Sequence, residues 1–170
     1  MMNIDYAAIL MSQYPTKLWG GSGATYDRII WKDSIPIPQA ELDAKKPLVM
    51  QEKAFGIAKK TLDDGYAIAA ASGFECAALG SPYRYPSAPE NQLDIIGSTL
   101  IAVVDSTAVI PFGCTEVATG VYDFNNHTAA QWLQVFMAGV MYKQTTFTQY
   151  NMKLYGLQGM TVDQLLQVKY

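Results

Sequence analysis

The chain has 170 residues, half of them hydrophobic, and a formal net charge of −3, which is enough for one ordinary domain, or a small one with an appendage, and for a real buried core. Its lysines are scattered rather than clustered, which argues against nucleic-acid binding. No apolar run reaches the roughly 18 residues of a membrane-spanning helix, and Met1 to Ala8 lacks the basic-then-apolar pattern of a signal peptide, so a cytoplasmic origin is expected.

In chain order, Ile4, Ala7, Ala8 and Met11 recur at helical spacing before Pro15, predicting a short first helix. Leu18-Trp19, a Gly20-Gly21-Ser22-Gly23 turn and Tyr26 to Trp31 read as a small hairpin with Trp19 and Trp31 near its ends. Ile35-Pro36-Ile37-Pro38 favours an extended connector, so residues 1–38 are expected to form a small N-terminal element, and 39–170 a helical module with short strands.

From Gln39 to about Ser72, Leu42, Leu48, Phe55, Ala58, Leu62, Tyr66 and Ala69 keep a helical rhythm that Pro47 kinks or splits, with Gly73 as the cap. Phe74 to Leu79 and Tyr83-Arg84-Tyr85 flank a Gly80-Ser81-Pro82 turn and predict a second hairpin. Ser87, followed by Pro89 and Glu90, predicts an N-cap for a helix over Pro89 to Val104, with Leu93, Ile96, Leu100 and Val103 as its stripe.

Val109 to Glu116 and Gly120 to Phe124 supply two more short strands. Asn125-Asn126-His127 reads as a turn into a long helix that an Asn or Thr cap near Asn126 to Thr128 begins and whose stripe holds Trp132, Phe136, Val140, Phe147, Tyr150, Leu154 and Leu157. Gly159 is expected to end it, and Thr161 with Gln164 resembles a capping box for a last short helix. The expected architecture is α+β and mostly helical: an antiparallel pair of long helices, a middle helix, short β-hairpins and the small N-terminal α/β element.

Chemistry-bearing residues are sparse. Cys76 and Cys114 have no second cysteine or histidine at metal-ligand spacing and read as core thiols. His127 is the one histidine, and as a helix-entry residue it reads as a capping or hydrogen-bonding residue rather than a catalytic group. The acid pairs Asp63-Asp64 and Asp27 with Asp33 read as solvated face and turn residues. Gly20-Gly21-Ser22-Gly23 lacks the Gly-Lys-Ser/Thr of a phosphate loop, and Ser22 lacks the setting of a nucleophile elbow. The expected role is non-enzymatic, without metal or cofactor. Trp19, Trp31, Tyr83, Arg84, Tyr85, Tyr122 and Phe124 are candidate partner contacts, because Tyr, Trp and Arg dominate binding hot spots; cross-strand packing is the alternative for the last five.

Gly73-Phe74, Tyr83-Arg84-Tyr85-Pro86-Ser87 and Gln92-Leu93-Asp94-Ile95-Ile96-Gly97 follow one another in an order that resembles a module of unknown function in bacteriophage tail-fibre assembly and tail accessory proteins. The strand at Pro111 to Glu116, His127-Thr128 with Gln131, and Leu157 to Tyr170 continue that order. The resemblance covers roughly Ala54 to Tyr170; Trp19, Tyr26-Asp27, Ile30-Trp31 and the connector to Glu41-Leu42 are similar to a small front element of other tail proteins. Phe112 stands where such modules usually place tryptophan, and Cys76 where an aromatic is common. The resemblance implies a virion tail protein that binds or adapts an oligomeric tail-fibre or baseplate protein. A transient fibre-assembly chaperone is the alternative, and a carbohydrate-binding tail component using Tyr83, Tyr85, Asp94 or Glu116 is a third.

Overall fold

The computed structural model describes residues 4–32 and 35–170 and has an α+β, mostly helical fold. The expected partner acid Asp33 lies outside the described residues. Two compact units are present: residues 1–61 with 156–169, and residues 62–155 with Tyr170.

In the first unit, helix α1 (Tyr6–Gln13) is capped by Asp5, whose side chain accepts from the Ala8 amide at 2.9 Å. Strands β1 (Trp19–Gly21) and β2 (Ile29–Trp31) pair antiparallel with Trp19 opposite Trp31. Between them Gly23, at φ +61, offers its carbonyl to the Tyr6 and Ala7 amides, and a Cβ there would lie 2.6 Å from that of Ala7. The glycine-rich run is therefore a turn seated on the start of α1, where only glycine fits.

Helix α2 (Gln39–Ala71) runs unbroken through Pro47, so the expected split does not occur. Ile9, Leu10, Ile29, Leu42 and Val49 form this unit's core. Short helix α5 (Val162–Leu165) carries the expected capping box of Thr161 and Gln164, and Leu165 is buried.

In the second unit, β3 (Phe74–Cys76), β4 (Tyr83–Tyr85), β5 (Val109–Glu116) and β6 (Tyr122–Thr128) form one antiparallel sheet in that order. Helix α3 (Pro89–Val104) and helix α4 (Ala129–Gly156) complete the unit. The last turns of α2 lie antiparallel against α4: Tyr150 Oη donates to Asp63 at 2.6 Å, Tyr66 meets Tyr150 at 4.9 Å between centroids, and Tyr142 Oη donates to the Ala69 carbonyl. The core gathers Phe74, Tyr85, Ile95, Phe112, Cys114, Trp132 and Val135. Cys114 is buried and Cys76 half-buried, both as free thiols.

Three local expectations need correction. Ser87 does not cap α3: Ala88 holds that position, and the buried Ser87 hydroxyl accepts from the Gly73 amide at 3.0 Å and donates to the Ala70 carbonyl at 2.7 Å. It thus fastens the end of α2, where Gly73 turns the chain at φ +91.

Asn125-Asn126-His127 is not a turn. β6 stays paired through Thr128 opposite Val109, while the expected cap is present, with Thr128 and Gln131 capping α4. The third correction concerns α3, where Ile95, Thr99 and Ala102 are the buried residues, while Leu93, Ile96, Leu100 and Val103 are exposed.

Candidate functional site

Strand alternation sorts the candidate residues before any ligand is considered. Ile110, Phe112 and Cys114 face the core, so their neighbours on β5 and the residues paired with those neighbours face outward. Tyr85, paired with Phe74, points inward, and Arg84, paired with Glu75 and Thr115, points outward. Tyr85 is completely buried and cannot belong to a surface ledge with Tyr122 and Phe124.

Tyr85 instead belongs to a closed polar chain. Its hydroxyl lies 2.8 Å from Nε2 of His127, and His127 Nδ1 lies 3.2 Å from the Ile110 carbonyl. Because that carbonyl only accepts, the imidazole proton sits on Nδ1, and Tyr85 donates to the bare Nε2. Burial holds His127 below the ordinary histidine pKa and the Tyr85 phenol above the ordinary tyrosine value, so both stay neutral. Trp132 packs edge-on to the imidazole at 5.3 Å, and its indole N–H donates to Thr99 Oγ1 at 3.2 Å. Every donor in this chain is spent on a protein acceptor, which suits a structural strut and leaves no proton to lend a substrate.

On the outer face of the sheet, Arg84 pairs with Glu75 at 2.8 Å. Tyr122 and Phe124 are exposed and meet edge to face at 6.1 Å, Tyr122 lying over Gly113. Tyr83 is half-buried against the core. Trp19 and Trp31 belong to the first unit and pack half-buried against its core.

The acids do not gather. Glu116 accepts from the Thr119 hydroxyl at 2.8 Å, Asp94 is exposed on α3, and Asp63 is bonded to Tyr150. No set of three metal-ligating side chains comes together among the described residues, and none of their helices is long and apolar enough to cross a membrane.

The larger feature was missed by reading α3 as a one-sided helix. Between α3 and α4 lies a groove of about 460 Å³. The buried Phe74, Ile95 and Thr99 form its floor, the exposed Ile96, Leu100 and Val140 its rim, and Gln92 with Lys143 one polar end, where Lys143 donates to Gln92. No carboxylate, histidine or cysteine lines it. Its lining is predominantly apolar.

The signal that would have revealed this surface is the composition of α3: from Leu93 to Val104 the apolar residues go all the way round the helix, with Asp94 as the one charge. Searches of family models, of curated proteins and of solved structures find no match to the chain.

Proposed function

We propose that this chain is a non-enzymatic structural protein that works buried in a larger protein assembly. The observation that carries the reading is the double-sided apolarity of α3. Its own unit covers Ile95, Thr99 and Ala102, while Leu93, Leu100 and Val104 remain 72, 63 and 87% exposed on the opposite side. A helix hydrophobic around its circumference is stable in water only when both sides are covered.

The assembly proposed is a bacteriophage tail, in which the chain holds or adapts a tail-fibre or baseplate protein; the order of motifs from Ala54 to Tyr170 supports that setting. Mass spectrometry of purified particles tests it: the chain is expected in fixed copy number beside the tail proteins. Presence in infected cells together with absence from particles would replace residence by a transient chaperone role. The exposed Tyr122 and Phe124 pair favours a second reading, a carbohydrate contact on the outer sheet face. A glycan array on which Tyr122→Ala/Phe124→Ala binds as the parent does would remove it.

A further inference from the structure

We infer that the uncovered α3 face is the contact of a symmetric dimer, its occupant being the same face of a second copy of this chain. This rests on the assembly reading and names one of the assembly's partners.

Area decides first. Leu93, Ile96, Leu100 and Val104 on α3, with Val140 on the α4 rim of the groove, are 72, 50, 63, 87 and 40% exposed. Together they present roughly 600 Å² of mainly apolar surface, at the top of the about 300–600 Å² range of the largest patch on an ordinary monomer and at the lower end of what each partner gives to a standard interface, about 600–1,000 Å².

Charge decides next. A symmetric contact sets each patch against itself, so any charge at its centre would meet its own like. Leu93, Ile96, Gly97, Leu100 and Val104 form an uncharged stripe, and on α3 the acids Glu90 and Asp94 lie to one flank of it, at the helix periodicity of 100° per residue. Lys143, the one charge in the groove's lining, stands at the groove's polar end bonded to Gln92 and outside the stripe; the chain as a whole is acidic at −3, so the uncharged stripe is the part where a second copy meets least repulsion.

Shape agrees. Gly97 sits at the middle of α3 within this stripe, and a Cβ built there has no atom within 4 Å. Two α3 helices can cross there with Leu93 and Leu100 flanking the contact. The four α3 side chains recur three or four residues apart, the spacing that lets ridges of one copy enter grooves of the other.

The test is the solution mass of the full chain by light scattering up to high micromolar concentration, alongside Leu100→Glu and Val104→Glu. The parent is expected at twice the 18.7 kDa chain mass. Each glutamate variant should keep the parent's circular dichroism and dimerise at least roughly a hundredfold more weakly, because a buried unpaired carboxylate costs several kcal/mol. A parent that stays monomeric, a dimer that both variants leave intact, or a mass that grows without closing at two overturns the inference. A monomeric parent whose Leu100→Glu form fails to enter particles would leave the assembly reading standing with a different occupant. Dimer loss with particles of normal composition would do the reverse.

Discussion

Replacing Tyr85 by Phe deletes one oxygen from a fully buried ring and leaves its volume almost unchanged, so the loss isolates a hydrogen bond. In the parent, the Tyr85 hydroxyl supplies Nε2 of His127 at 2.8 Å while Nδ1 serves the Ile110 carbonyl at 3.2 Å. The variant leaves Nε2 bare in a site without water access. Moving the proton to Nε2 offers no rescue, since the Ile110 carbonyl then loses its donor. A buried polar group left unpaired costs about 1–3 kcal/mol, and about 2 kcal/mol corresponds to roughly 4–8 °C in Tm for a chain of this size. Urea unfolding read at Trp132, which touches the imidazole, gives the number directly; Trp19→Phe/Trp31→Phe removes the chain's two other tryptophans. Replacing both partners, in Tyr85→Phe/His127→Phe, should cost less than the two single losses summed. A Tyr85→Phe loss under about 0.5 kcal/mol would refute the closed chain and reopen His127 as an accessible base.

Three further outcomes follow from the same packing. Burial lowers the His127 pKa, so the unfolded chain takes up a proton below pH about 6.5 that the folded chain refuses. Stability is therefore full above that pH and falls as pH drops from it toward the folded value, a slope that His127→Gln should flatten in denaturant titrations. The carboxyls with altered affinity, Asp27, Asp43 and Asp105, are all lowered, so what they contribute is lost only as pH falls through the carboxylate range.

Gly139→Ala sets a Cβ 2.9 Å from the ring of buried Phe74 and should cost about 1–3 kcal/mol by overpacking, less the helical gain, whereas Gly56→Ala, on exposed helix with no atom within 4 Å, should gain about 0.5–1 kcal/mol. Thermal melts compare the two. Ser87→Ala removes an acceptor and a donor at the end of α2 and should cost about 1–3 kcal/mol, with faster amide exchange at Gly73 as the local sign.

The elements were legible where a local rule had no competitor. Thr161 and Gln164 formed their box, Gly73 took the left-handed turn, and Pro89 opened α3 at its first position, since each depends on neighbours within one turn. The faces were less legible. On α3, the Leu93, Ile96, Leu100 and Val103 stripe is the more apolar of two, and only the position of Trp132 and the sheet decides that Ile95, Thr99 and Ala102 go inside.

His127 followed an Asn-Asn pair that favours turns, but seven-residue pairing with β5, which local propensity cannot see, held the segment extended. Among the candidate contacts, the alternation of Tyr83-Arg84-Tyr85 already placed Arg84 on the opposite face from its neighbours; grouping Tyr85 with Tyr122 and Phe124 ignored it. Phe136, expected in the helix stripe, is half-buried at the groove, where truncation would cost less than in a closed core.

The central claim is that the outer face of α3 is covered when the protein does its work. Carbene footprinting of the chain within purified particles of the proposed phage-tail setting, against the isolated chain diluted to monomer, measures that cover directly. Strong protection of Leu93, Leu100 and Val104 in the particle, with Ile95 unlabelled in both, is the predicted result. Equal labelling of those three residues in both states would contradict it.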